Sequence, residues 1–158
     1  MLVRYAKESE LEIVGELTLA ASGGLAAGED AEALGDAASR AEEAQLLVCV
    51  DGDGRIVGTA TYVEVPSRWA QIAGPGEAEI RMLAVHHMAR GYGAGKALVE
   101  HTAKIAVGLG KQRLVCSCNP AMEAAQRLLA RSGFNRAPER DWSPAGGAEL
   151  LVYVRELV

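Results

Sequence analysis

Apolar residues recur along the chain with two periods, and the switches between them divide it into elements. Residues 2–6 (Leu-Val-Arg-Tyr-Ala) read as a short opening strand. Ser9 with Glu12 reads as a capping box, after which Val14, Leu17 and Ala21 recur at helical spacing. A second helix, rich in alanine and acid, is expected over residues 30–43. Residues 46–50 and 55–65 read as two strands joined by the tight turn Asp51-Gly-Asp-Gly, a β-hairpin. Residues 66–76, with Trp69, Ile72, Gly74, Pro75 and Gly76, read as a loop. A strand over 77–85, a glycine-rich turn and a helix over 94–109 follow, the helix having Leu98, Val99, Thr102, Ile105, Ala106 and Leu109 on its apolar face. Gly110 stops that helix, and residues 113–118 make a strand. Pro120 suits the first turn of another helix running to Ser132, and Gly133 suits its C-terminal cap. A last strand is expected within 149–155. The predicted order is β-α-α-β-β-β-α-β-α-β-β. That is an α/β fold with a central mixed, mostly antiparallel sheet flanked by helices, its antiparallel first part passing into a β-α-β crossover.

Composition narrows the class. A chain of 158 residues fits a single domain over 1–158, and folding at this size buries roughly 70% of the unfolded surface. No apolar run is long enough to span a bilayer, and the N-terminus has neither an h-region nor a cleavage site, so a cytoplasmic protein with no membrane partner is expected. Cys49, Cys116 and Cys118 have neither zinc nor disulfide spacing and read as buried free thiols, with Cys116 and Cys118 on one strand face. The net charge of −5 argues against nucleic-acid binding. Its distribution is uneven: residues 1–45 carry ten acids and three bases, whereas residues 80–158 carry eleven bases and six acids. Such a split suits a polyanionic cofactor on the C-terminal half and a cationic substrate on the other; two ordinary solvated faces would give it equally well.

Residues 90–96 read Arg-Gly-Tyr-Gly-Ala-Gly-Lys, between a strand and a helix. Glycines let the backbone curl and approach a ligand, and the unpaired amides of a helix's first turn make an anion site. The dinucleotide fingerprint G-x-G-x-x-G fails: counted from Gly91 its third glycine falls on Lys96, and from Gly93 on Leu98. The nucleotide P-loop fails because Arg90 stands where it needs glycine and Ala97 where it needs a hydroxyl. The pattern [QR]-x-x-G-x-[GA] fits, with Arg90, Gly93 and Gly95.

That pattern is the pyrophosphate signature of the GNAT acetyltransferases, and its flanks extend the likeness. Residues 78–85 (Ala-Glu-Ile-Arg-Met-Leu-Ala-Val) resemble the family's fourth strand. Asn119, an alanine-rich helix and Ser132-Gly-Phe resemble the end of its last cofactor-binding helix. The resemblance implies acetyl-CoA as cosubstrate. The main chain of Leu83, Ala84 and Val85 would pair with the pantetheine arm between splayed fourth and fifth strands. The amides of Arg90, Gly91, Tyr92, Gly93, Ala94, Gly95 and Lys96 would hold the pyrophosphate, with Asn119 a polar contact near the pantetheine. Arg127 and Arg131 could reach phosphates but read equally as surface charge.

Acetyl transfer to an amine needs a base, because a lysine-like ammonium has a pKa near ~10.4. Glu79 lies on the presumed fourth strand where histone-type relatives carry their catalytic glutamate, and Glu77 lies two residues earlier on the same face, so either could serve, directly or through a water relay. A carboxylate merely paired with Arg81 is the bland alternative for Glu79. The tyrosine that relatives place five residues before the Gly-Phe phenylalanine is Leu129 here, which removes the usual proton donor for the leaving thiolate; Cys118, Ser117 or Tyr92 are substitutes. No metal site is expected, His86-His87 reading as turn residues. The expected activity is direct transfer of acetyl from acetyl-CoA to a primary amine in a ternary complex; the alternative is a catalytically weak acyl-CoA sensor of the same fold. The resemblance is compatible with a homodimer, and the amine acceptor is unidentified.

Overall fold

The computed structural model describes residues 1–22, 31–145 and 147–157. Within them runs a seven-stranded sheet in the order β1-β2-β3-β4-β5-β7-β6. The strands are β1 (Leu2–Tyr5), β2 (Gln45–Val50), β3 (Ile56–Glu64), β4 (Glu77–Val85), β5 (Arg113–Cys118), β6 (Asn135–Arg136) and β7 (Leu151–Glu156). β1 to β4 pair antiparallel in succession, β4 and β5 pair parallel, and β7 lies antiparallel between β5 and β6. Helices α1 (Leu11–Ser22), α2 (Ala31–Gly35) and α3 (Ala37–Glu43) lead from β1 to β2, α4 (Ala94–Gly108) makes the crossover from β4 to β5, and α5 (Glu123–Arg131) precedes β6. None of the helices among the described residues is long and apolar enough to cross a membrane.

The apolar stripe of α4 builds the main core. Leu98, Val99, Ala103 and Ala106 pack with Leu47, Ala60 and Tyr62 of β2 and β3, Ala78 and Ile80 of β4, and Leu114, Cys116 and Cys118 of β5. Each large side chain buried there contributes about 1.5–3 kcal/mol. Val14 of α1 meets Leu46, Val48 and Val50 in a second cluster on the other face. All three cysteines are buried free thiols, and burial pushes Cys118 up to about 11.

Several boundaries differ from the pattern-based expectation, each for a local reason. The N-terminal cap uses Glu10, not Glu12: the Lys7 N–H donates to Glu10 Oε1 at 2.8 Å, while Arg4 forks onto both oxygens at 2.8 Å. The helix expected over 30–43 is two, because Asp36 leaves helical geometry and accepts the Ser39 N–H at 3.1 Å, capping α3; residue 30 lies outside the described residues. The last helix starts at Glu123, not Pro120. Asn119 Oδ1 accepts the Ala121 N–H at 2.9 Å and the Asn119 carbonyl accepts that of Met122, a side-chain turn that competes with helix.

Candidate active site

The pairing of β4 with β5 covers only Glu77↔Arg113, Ala78↔Leu114 and Glu79↔Val115. Beyond Glu79 the two strands part, so residues 80–85 have no partner on the β5 side. On the β3 side the register steps from Thr59↔Ala84 to Thr61↔Arg81, which puts one extra residue into β4. Met82 takes it up with φ at 51°, the one non-glycine residue with positive φ among those described. A bulge of this kind bends a strand and re-aims its main chain. The bend and the fork together leave Leu83, Ala84 and Val85 on one wall of a cleft, with Ser117 and Cys118 at the end of the other.

The glycine-rich turn sits above this cleft. Gly91 and Gly93 have φ of 88° and 89°, so both need the freedom of glycine. Gly93 is the N-cap of α4 and brings no capping side chain, which leaves the first-turn amides of Ala94, Gly95 and Lys96 without an intrahelical partner. The Ala97 N–H makes the first helical bond, to the Gly93 carbonyl at 3.0 Å. Gly95 has a different reason for being glycine: a Cβ there would lie 2.8 Å from Leu128 Cδ2 of α5. Arg90 and Tyr92 are exposed, Tyr92 at 74%. The expected turn residues thus lie together at the start of α4, where uncapped first-turn amides suit an anion. Asn119 stands half-buried at the end of β5, its Oδ1 engaged in its own turn.

The two expected carboxylates differ sharply in surroundings, although both are buried on the sheet face opposite α4. Glu77 accepts a bidentate fork from Arg140, Nη1 to Oε2 at 2.9 Å and Nη2 to Oε1 at 2.8 Å, with Arg113 3.7 Å from Oε2. Arg140 thereby holds the Glu77 carboxyl below the usual carboxylate range. Glu79 is 0% exposed. Its Oε1 accepts three loop amides, from Gln71 at 2.9 Å, Ile72 at 2.9 Å and Ala73 at 3.0 Å, whereas its Oε2 has no hydrogen-bond partner. Burial outweighs those donors and pushes the Glu79 carboxyl up. Arg81 directs Nη1 to the Trp69 carbonyl at 3.0 Å and supplies positive charge beside Glu79.

Two further residues at the site were not singled out from the sequence. Arg140 comes from a 3-10 turn at Pro138–Arg140, and Trp142 follows it, its Nε1 donating to Ser117 Oγ at 2.9 Å on the β5 wall. Arg140 meets Glu77 from 63 positions away, and no local pattern announces such a contact. Leu129, by contrast, is 1% exposed within the main core. His86 and His87 stack at 4.5 Å on the exposed approach to the turn, with His86 Nδ1 accepting the Met88 N–H. Arg127 and Arg131 are exposed, Arg127 lying 4.0 Å from Glu123.

The model of the acetyltransferase (GNAT) family matches residues 4–134. The chain belongs to the GNAT acetyltransferases. Solved structures agree at the level of fold. A GNAT-family acetyltransferase from Staphylococcus aureus Mu50 superposes with a TM-score of 0.78 at 16% identity over 99% of both chains. YncA from Salmonella typhimurium, determined with its cofactor acetyl-CoA, gives 0.74 at 21% identity over 100% of this chain and 94% of its own. A GCN5-related N-acetyltransferase from Kribbella flavida gives 0.71 at 26% identity over 99% and 97%. Among curated proteins none matches the sequence significantly. The mixed sheet, the parted β4 and β5 and the glycine turn before α4 are thus this GNAT chain's version of a shared fold.

Proposed function

We propose that this GNAT chain is an N-acetyltransferase that moves an acetyl group from acetyl-CoA to a primary amine by direct attack in a ternary complex. The observation that carries the reading is the fork after Glu79, which sets an unpaired strand edge directly below a helix start stripped of capping side chains. Acetyl-CoA supplies the acetyl group as a thioester. The first-turn amides of α4, with those of Arg90, Gly91, Tyr92 and Gly93, hold the pyrophosphate. The main chain of Leu83, Ala84 and Val85 takes the amide-rich pantetheine as an added neighbour and offers a donor to the acyl carbonyl. Asn119 contributes a polar contact from the opposite wall.

Glu79 is the proton acceptor in this account. Its Oε2 is buried without a hydrogen-bond partner, and burial raises its affinity for a proton, narrowing the gap to an amine of pKa ~10.4. Glu77 is poorly suited, since both of its oxygens are engaged by Arg140 and its proton affinity is lowered. The leaving sulfur departs as thiolate. A CoA-like thiol titrates near ~8.5, and Cys118, pushed up to about 11, is a weaker acid than the group it would protonate.

The test is release of free CoA thiol against a panel of amines, with Glu79→Gln alongside wild type. The reading expects turnover with at least one amine and a loss of roughly 10²–10⁴-fold in kcat in the variant. Tight acetyl-CoA binding with no turnover across polyamines, amino acids, aminoglycosides and peptide N-termini would instead make the chain a sensor.

A further inference from the structure

The two carboxylates of β4 are wired together through one peptide group. Arg140 Nη2, besides its bond to Glu77, donates to the Ile72 carbonyl at 3.0 Å. The N–H of that same peptide group, carried by Ala73, donates to Glu79 Oε1 at 3.0 Å, beside the Ile72 N–H at 2.9 Å. The same short loop is held again one step on, where the Gly74 N–H donates to Glu77 Oε1 at 3.0 Å. Four consecutive amides, from residues 71–74, thus end on two carboxylates of one strand, and the Arg140 fork bridges loop and strand from a distant segment. A planar fork with fixed N–H directions suits this bridging, and a lysine cannot reproduce it.

We propose that Arg140 is a positioning residue for acetyl transfer: acting through the Ile72–Ala73 peptide, it holds the loop that orients the Glu79 carboxylate. The inference rests on the reading of Glu79 as proton acceptor. Arg140 does not touch Glu79 itself, and Glu77 is its anchor. The charged and titratable groups around Glu79 are Arg81 and Glu77 on its own strand, Cys116 on β5 and Arg140 from the segment before β7, with Arg113 behind Glu77. Removing Arg140 leaves Glu77 with the Gly74 N–H and, as its cation, the more distant Arg113, and frees the Ile72 carbonyl. Both changes disfavour the ionised form of Glu79 and loosen the donors on its Oε1.

The test is a carboxyl-carbon NMR titration of Glu79 in the full chain, which needs no amine substrate, with pH–rate profiles on whichever amine turns over. In Arg140→Gln the Glu79 titration should rise by about one unit, and the acidic limb of kcat should move up with it while KM for acetyl-CoA stays unchanged. Arg140→Lys keeps the charge without the fork and should recover the fold but only part of the shift; it also serves if the glutamine variant folds poorly. Glu77→Gln/Arg140→Gln separates the two routes: if Arg140 merely balances Glu77, Glu79 titrates as in wild type, and if it works through Ile72 the shift persists. A Glu79 titration unchanged or lowered in Arg140→Gln overturns the inference and leaves Arg140 a structural clamp. Full turnover in Glu79→Gln is a separate failure, that of the proton-acceptor reading.

Discussion

At Gly95 the requirement is space, not conformational freedom. Leu128 Cδ2 occupies the position a larger side chain needs, but as the flexible end of a leucine it can shift. Gly95→Ala should therefore alter stability by less than about 1 kcal/mol, helix propensity offsetting the crowding. Gly95→Leu should cost about 1–3 kcal/mol, and Leu128→Ala should restore part of that loss. Chemical denaturation of the single and double variants measures the coupling, and strict additivity would contradict the close approach. Leu129 poses a related question, since the resemblance puts a tyrosine there. With 1% exposure it is core, so Leu129→Tyr should lower stability by about 1–3 kcal/mol and bring no gain in kcat. A faster enzyme would show that the position opens on the leaving thiol after all.

Elements were legible in type and less so at their ends. The 3.6-residue stripe of α4 and the hairpin turn at residues 51–54 are local signals and lie where the pattern puts them, except that Leu109, expected on the stripe, is the exposed C-cap beyond the helix's last turn. The start of α1, the break at Asp36 and the late start of α5 depend on which of several polar side chains reaches an amide first, and sequence spacing does not rank them. The Glu10 cap carries a pH signature. Arg4, then the Lys7 N–H, hold its carboxyl down to about 2. A carboxyl depressed in the folded state contributes stability that is present above its unfolded value and is lost as pH falls through the folded one. Glu10→Gln should thus flatten the acid unfolding curve from the ordinary carboxylate range down to about 2, and an unchanged curve would contradict the cap. The bulge at Met82 had no sequence signal at all. A β-branched residue tolerates its φ of 51° badly, so Met82→Ile should cost about 1–2 kcal/mol and weaken acetyl-CoA binding. Calorimetric titration of that variant checks the second effect independently of the first.

Across the whole molecule, the sequence carried the glycine turn better than the surroundings of the two glutamates. The turn at 90–96 is contiguous, and so is the strand that feeds it. The surroundings of Glu77 and Glu79 are assembled from β4, the 66–76 loop and Arg140, pieces far apart in the sequence. The structure buries both faces of β4 there, because loop amides and a distant arginine satisfy the charged side. That long-range satisfaction gives two neighbouring glutamates opposite proton affinities, a distinction no spacing rule could draw. The central claim remains the acetyl-CoA cleft between β4 and β5, crowned by the turn at Gly93. The most direct test is thermal melting with and without acetyl-CoA, in wild type and in Gly93→Glu. A Cβ there meets no neighbouring atom, but the substitution puts a side chain at a φ of 89° and a negative charge into the proposed anion site. At about 100 times Kd the wild type should gain about 2.7 kcal/mol, a rise of roughly 5–10 °C, and the folded variant should gain nothing. An equal rise in both proteins, or none in the wild type, would contradict the account.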